Sequence, residues 1–165
     1  MKYCFDPIGI IHVKYSKEEV KKSVQGVDGV IEVFEEYSMG LYNLNGFSHI
    51  IIIAFLHEVT DKQRKVLKVK PRRLLRFGLK EGELPEIGVF ASDSPHRPNP
   101  IAISIVRLKK IQERFLYVDG LDLYDKTPVL DIKPYTLSRK IENLCFPQWY
   151  TSLVEKCRSR LGLEI

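Results

Sequence analysis

The segment His49-Ile50-Ile51-Ile52-Ile53-Ala54-Phe55 constrains the fold more than any other stretch of this chain. Its apolar residues do not alternate with polar ones, so the reading is a strand buried on both faces. With Leu56 it is still far short of the roughly 20 residues a membrane helix needs. Such a strand requires neighbours, and the chain offers several: Pro7 to Val13, Val30 to Phe34, Val66 to Lys70, Gly88 to Ala91, Ile101 to Ile111, Phe115 to Val118 and Val129 to Ile132. Gln112-Glu113-Arg114 is a hairpin-length connection between two of them. Many short strands without regularly intervening helices predict a mainly β (α+β) fold, a small antiparallel barrel rather than a doubly wound sheet.

Helices are few. Ser16-Lys17-Glu18-Glu19 has the spacing of a capping box, so a short helical turn is expected after it. Near the C-terminus, Pro147 suits a first turn, and Tyr150, Leu153, Val154, Cys157 and Leu161 fall on one stripe at helical spacing, with Gly162 as a stop. The expected organisation is a barrel domain over residues 1–140 and a helical extension over 141–165, packed on the barrel or on a dimer partner. Lys156, Arg158 and Arg160 lie off the stripe and read as a solvated face.

Cys4, Cys145 and Cys157 are odd in number and scattered, which excludes a disulfide framework or a paired-cysteine zinc knuckle. With no basic lead into an apolar stretch at Met1 to Pro7, the expectation is a soluble cytoplasmic protein. Lysine and arginine total 26 against 21 acids, a formal charge of +5. Lys65, Lys68, Lys70, Arg72, Arg73, Arg76 and Lys80 supply seven of those charges with no acid among them, and +5 less these seven leaves −2 elsewhere. A local cluster of this kind attracts phosphate. Arg72, Arg73 and Arg76 are the expected contributors, with Pro71 favouring a protruding loop.

Two segments carry chemistry. In Gly88 to Ile101, three prolines within six residues fix the backbone and remove amide donors, and His96, Arg97 and Asn99 stand among them. A rigid loop that presents such groups suits a site. In Gly120 to Tyr135, Asp122, Asp125 and a Thr127-Pro128 turn precede a short apolar strand that carries Asp131. Turn chemistry accounts for Asp125 and Pro128. Asp131, flanked by Leu130 and Ile132, needs a partner, for which Lys133, Arg97 and Arg107 are candidates.

These segments, SPHRPNPI at Ser94 to Ile101 and GLD-x-x-D-x-TPVLDIKPY at Gly120 to Tyr135, closely resemble the TsaA-like or TrmO family of S-adenosylmethionine-dependent tRNA methyltransferases. Ile8 to His12, Gly29 to Tyr37 and Gly46 to Ile50 agree with it in the same order. The resemblance implies a β-barrel, a homodimer, S-adenosylmethionine as cofactor, and tRNA as substrate, methylated on the carbamoyl nitrogen of N6-threonylcarbamoyladenosine beside the anticodon. Cofactor contacts carried over residue by residue fall on Gln25, Leu56, His57, Ile103 and Asp125-Lys126-Thr127-Pro128, with Asp93 and Arg97 in the proline-rich loop. The chain departs from the family pattern at two arginine positions, now Val24 and Asp93. The absence of a GxGxxG fingerprint fits a non-Rossmann cofactor site.

A carbamoyl N–H needs a proton acceptor or strong polarisation before it attacks, and His96, Asp125 and Asp131 are the candidates in that order. Arg97 and Asn99 are assigned to holding the loop, or the substrate carboxylate and base edge. The rival readings are a non-catalytic S-adenosylmethionine- or RNA-binding module and a metal-dependent hydrolase using His12, His49, His57 and His96. These histidines lack HxxxH spacing, and His12 and His49 read as satisfied core residues, so no metal site is expected.

Overall fold

Ile50, Ile52 and Ala54 are fully buried on one face of a strand whose neighbours close around it. The computed structural model describes residues 3–161. Strands β1 (Gly9–His12), β2 (Val27–Val33) and β3 (His49–Phe55) precede two short ones, β4 (Lys68–Val69) and β5 (Ile87–Gly88). β6 (Ile101–Gln112), β7 (Phe115–Leu121) and β8 (Pro128–Pro134) follow. Six of them form a closed antiparallel barrel in the order β1-β2-β7-β6-β3-β8, with β8 returning to β1 at Gly9↔Val129 and Ile10↔Pro128.

Alternation sends Val106 and Leu108 of β6 inward beside Ile11, Ile31, Val33, Leu116, Val118, Leu121 and Val129. Outward on β6 stand Ile101, Ile103 and Ile105. Ile51 is also covered on its outer side, whereas Ile53 and Phe55 are half-buried, so the two-sided burial expected of β3 is complete only at its start. The β6–β7 connection is tighter than expected. Gln112 pairs with Phe115, leaving Glu113, at φ +53°, and Arg114 as the turn. Helix α1 (Lys17–Lys22) begins with the predicted capping box: Ser16 Oγ accepts from the Glu19 N–H while Glu19 accepts from the Ser16 N–H.

The described residues up to Val59, with Pro100–Arg139, form one compact unit that holds the barrel. Thr60–Asn99 and the described residues from Lys140 onward form another, so the excursion between β3 and β6 groups with the C-terminal helix rather than with the strands. In this second unit α2 (Asp61–Arg64) opens with a capping box from Thr60 and Gln63, and α3 (Gln148–Leu161) follows Pro147. Leu153 and the fully buried Cys157 of α3 pack with Phe77, Leu79 and Leu84, and Trp149 lies against this cluster. Tyr150, expected on the buried stripe, is 38% exposed and stacks on Phe146. Gly162 lies outside the described residues.

Three local expectations are corrected. The strand expected at Val66 to Lys70 contracts to Lys68–Val69. Val89–Ala91 is a 3-10 turn rather than the continuation of a strand, because the Val89 carbonyl accepts from the Ser92 N–H, the Ser92 hydroxyl and Arg97 and is lost to any ladder. Pro71 does not begin a protruding loop; it caps a 3-10 helix over Arg72–Phe77.

One ion pair ties α3 to the rest of its unit. Arg160 donates through both terminal nitrogens to Glu83, at 2.9 and 2.8 Å, and to the Gly78 carbonyl at 2.7 Å. The fork geometry suits a carboxylate. Arg160, with help from the Lys80 N–H, holds the Glu83 carboxyl down at about 2, against an ordinary 4.5. A carboxyl depressed on folding contributes stability that is whole above its unfolded value and is lost as pH falls through the folded one. Fluorescence of Trp149, the chain's one tryptophan, is therefore expected to report loosening of α3 between pH 4.5 and 2. In Glu83→Gln the signal is expected to be shifted already at neutral pH and to lack that step.

Candidate cofactor site

Asp125 to Pro128 is fastened to the end of β1 by three bonds and closed on itself by a fourth. The Lys126 N–H donates to the Ile11 carbonyl at 2.8 Å, and the Ile11 N–H donates to the Thr127 carbonyl at 3.0 Å. The Thr127 N–H returns to Tyr124 at 3.2 Å, and Asp125 Oδ1 accepts from the Val13 N–H at 3.1 Å. Thr127 is 2% exposed. Asp125 therefore spends one oxygen on the backbone and keeps the other outward. Lys126 stands at φ +64°, left-handed backbone that suits glycine better than lysine.

Four other expected contacts lie at the same end of the barrel. Gln25 is exposed just before β2, next to Gly26, whose φ of +81° and close approach exclude a side chain: a Cβ there would lie 2.4 Å from the Gly120 carbonyl carbon. Leu56 follows β3, its N–H donating to the Pro100 carbonyl at 2.8 Å, and His57 comes next, 4.0 Å from Glu58. Ile103 is the third residue of β6, opposite Ile53, and points outward at 69% exposure. Ser104 beside it is buried inside the barrel and donates to Asp122.

Asp131 is elsewhere. It pairs with Lys133, the first of its candidate partners, at 2.5 Å and accepts from the Ile132 N–H at 2.8 Å. With Ile8, Val33, Tyr37, Tyr42 and Phe47 it lines a cavity of about 560 Å³ at the opposite end of the barrel from Gln25, Leu56 and Asp125.

The proline-rich loop belongs to the second unit, and its charged groups are largely committed. Arg97 donates through Nε to the Ser94 carbonyl at 2.8 Å and through one terminal nitrogen to the carbonyls of Val89, at 2.9 Å, and Ser92. These bonds tie the loop to itself. Gln63, whose Oε1 caps α2, presents its amide nitrogen to His96 Nε2 at 3.1 Å, making that ring nitrogen the acceptor and leaving the proton on Nδ1. Arg64 Nε donates to the Pro98 carbonyl at 3.1 Å. Asp93 and Asn99 are exposed. Of the basic run, Arg72 pairs with Glu81 and Lys68 with Glu86, acids that follow the run in sequence and face it in the fold, and the Arg76 guanidinium lies over the Phe77 ring.

Two histidines differ from the core residues expected. His49 is exposed at the start of β3, with Nδ1 3.0 Å from the Ser48 hydroxyl. His12 is half-buried on the outer face of β1, with Nε2 2.8 Å from Glu32 Oε2 and Nδ1 3.2 Å from Lys126 Nζ. His12, with Arg114 beside it, keeps the Glu32 carboxyl below the usual range. Gln63 and Glu32 were not among the expected site residues. The capping-box spacing of Thr60 to Gln63 was available for the first; nothing local marks the second.

A family model described as the tRNA-methyltransferase O N-terminal domain matches residues 11–139. The chain belongs to the TrmO family. The TrmO match takes in β2 through β8 and ends before α3. A probable S-adenosyl-L-methionine-binding protein of Pyrococcus abyssi is 39% identical over 136 residues, 80% of this chain and 67% of that protein. A tRNA (adenine(37)-N6)-methyltransferase of Mus musculus is 40% identical over 103 residues, 62% of this chain and 22% of the mouse protein. The crystal structure of TrmO from Pseudomonas aeruginosa superposes with a TM-score of 0.63 at 28% identity, covering 84% of this chain; this chain spans 58% of that one.

Within this TrmO barrel and its accompanying unit, the loop prediction is direct. Arg97→Lys keeps the charge but cannot reach three carbonyls with one planar fork. Amide exchange across residues 89–97 is expected to rise about tenfold or more, while exchange in β3 and β6 stays unchanged. Equal protection in the variant would remove Arg97 from its loop-holding role.

Proposed function

We propose that this chain is an S-adenosylmethionine-dependent tRNA methyltransferase acting on the N6-threonylcarbamoyl group of the modified adenosine beside the anticodon, and that it works as a homodimer. The observation that carries the reading is the convergence of Gln25, Leu56, His57 and the Asp125–Pro128 turn at one end of a barrel of the TrmO family. The names of the relatives, probable S-adenosyl-L-methionine-binding protein and tRNA (adenine(37)-N6)-methyltransferase, support the cofactor and the substrate class.

The donor set fits such a cofactor. Leu56 offers apolar surface for a nucleobase, Gln25 offers an amide for its edge, the outward oxygen of Asp125 suits a ribose hydroxyl or an amine, and Lys126 suits a carboxylate. When bound, S-adenosylmethionine supplies an electrophilic methyl group. The chain's own contribution is orientation: bringing donor and acceptor into line accounts for a large share of a methyl-transfer barrier. The four bonds at Asp125–Thr127 keep that turn from shifting, and Gly26 seats Gln25 against the Gly120 backbone. Proton acceptance from the carbamoyl nitrogen is assigned to Asp125 before His96, because His96 Nε2 already receives the Gln63 amide.

Substrate docking is assigned to the basic run. Arg72 and Arg73 are exposed and can exchange local acids for phosphate, whereas Arg76 packs on Phe77 and contributes less. The outward Ile101, Ile103 and Ile105 of β6 supply an apolar face for a second copy. A binding module without turnover is the second reading, favoured by Val24 and Asp93, which offer no positive charge to the cofactor.

The deciding experiment follows label from S-adenosylmethionine into tRNA that carries or lacks threonylcarbamoyl. Incorporation is expected only into the modified tRNA. Cofactor binding without transfer to either tRNA selects the binding module. Asp125→Ala is expected to weaken cofactor binding about tenfold, with Lys110→Ala unchanged. Light scattering is expected near twice 19.2 kDa, and the monomer mass would remove the dimer. Replacing Arg72 and Arg73 with alanine is expected to flatten the salt dependence of tRNA binding and spare cofactor affinity.

A further inference from the structure

We infer that Lys126 is the cation that receives the amino-acid carboxylate of the cofactor, and that His12 and Glu32 are positioning residues that hold its ammonium ready. The inference rests on the cofactor reading above and concerns which group in the matched set reads the carboxylate.

Arg97 belongs to the other compact unit, and its Nε and one terminal nitrogen are given to the carbonyls of Ser94, Val89 and Ser92. His57 lies beside Glu58, whose carboxylate also takes Lys17 at 2.5 Å. Val24 is neutral and Asp93 is anionic. Lys126 remains, within the turn itself.

Its partner is unusual in kind. Lys17, Lys109 and Lys133 each pair with a carboxylate, which neutralises them. Lys126 Nζ instead meets His12 Nδ1 at 3.2 Å, while His12 Nε2 lies 2.8 Å from Glu32 Oε2. An ammonium can only donate and a carboxylate can only accept, so the imidazole between them is neutral, with its proton on Nε2. Glu32 is fixed in turn by Arg114 NH1 at 2.7 Å, and Arg114 Nε lies 3.6 Å from Glu35. A neutral acceptor occupies one of the three ammonium protons and none of its charge. Two N–H groups and a full positive charge are left for an anion.

The backbone points the same way. Lys126 adopts φ +64°, a conformation in which glycine is easier than any residue with a Cβ. A turn that needed only its shape would be served by glycine. Keeping lysine there carries a conformational cost that an anion-binding ammonium offsets.

That strain also supplies a clean variant. Lys126→Gly deletes the ammonium while easing the backbone, so folding is retained, which thermal unfolding checks. Titration calorimetry compares S-adenosylmethionine with its decarboxylated analogue in four proteins: unaltered, Lys126→Gly, His12→Ala and the double variant. Lys126→Gly is expected to bind S-adenosylmethionine about tenfold more weakly and the analogue as the unaltered protein does. His12→Ala is expected to lose about threefold for S-adenosylmethionine, none for the analogue, and nothing further in the double variant. Unchanged affinity in Lys126→Gly, or an equal loss for both ligands, overturns the assignment of Lys126. A His12→Ala loss that persists in the Lys126→Gly background overturns the positioning role. If the unaltered protein binds neither ligand, the cofactor reading fails and takes this inference with it.

Discussion

The seam between β8 and β1 governs the structure. Only Gly9↔Val129 and Ile10↔Pro128 pair across it, yet they turn a six-stranded sheet into a barrel. The Ile11–Thr127 and Lys126–Ile11 bonds prolong that seam past the end of β8 and into the turn. The bonds that complete the core are thus continuous with those that fix Asp125 and Lys126. At the opposite end, where Asp131 faces its own cavity, the Ile8 N–H bond to the Val129 carbonyl extends the same seam.

What could be read from the chain follows interaction range. β3, the capping box at Ser16 and the hairpin at Glu113-Arg114 depend on neighbours a few residues apart, and all were legible. The barrel followed from the abundance of strands, although nothing local foretold that β6 would lie between β7 and β3. The turn at Val89–Ala91 was misread as strand because apolar β-formers fill it; what overrides them is Arg97, eight residues on, claiming the Val89 carbonyl. His12 was misplaced in the core for a related reason. Alternation puts it outside, and Glu32, twenty residues away, holds it there.

The proline-rich loop shows how far motif reading extends. Its sequence marked a rigid platform, and the prolines do restrict it. Its stiffness, however, also depends on an arginine turned back onto the chain. Sequence alone left Arg97 to substrate or to loop; in the fold, Nε and one terminal nitrogen of its guanidinium reach three loop carbonyls. Gln63 similarly serves two elements at once, capping α2 with its oxygen and steadying His96 with its nitrogen.

Closure has a consequence for how copies of this chain meet. An open sheet presents a row of unpaired backbone amides and carbonyls on its outer strands, and foreign strands can add there with little regard for side chains. Here every barrel strand has two neighbours, and among the described residues the only separate ladder, β4 with β5, is two residues long on each side. Uncontrolled sheet extension is denied a template. Any association through the barrel is left to side chains on its outer faces, among them the exposed Ile103 and Ile105, where affinity is set residue by residue.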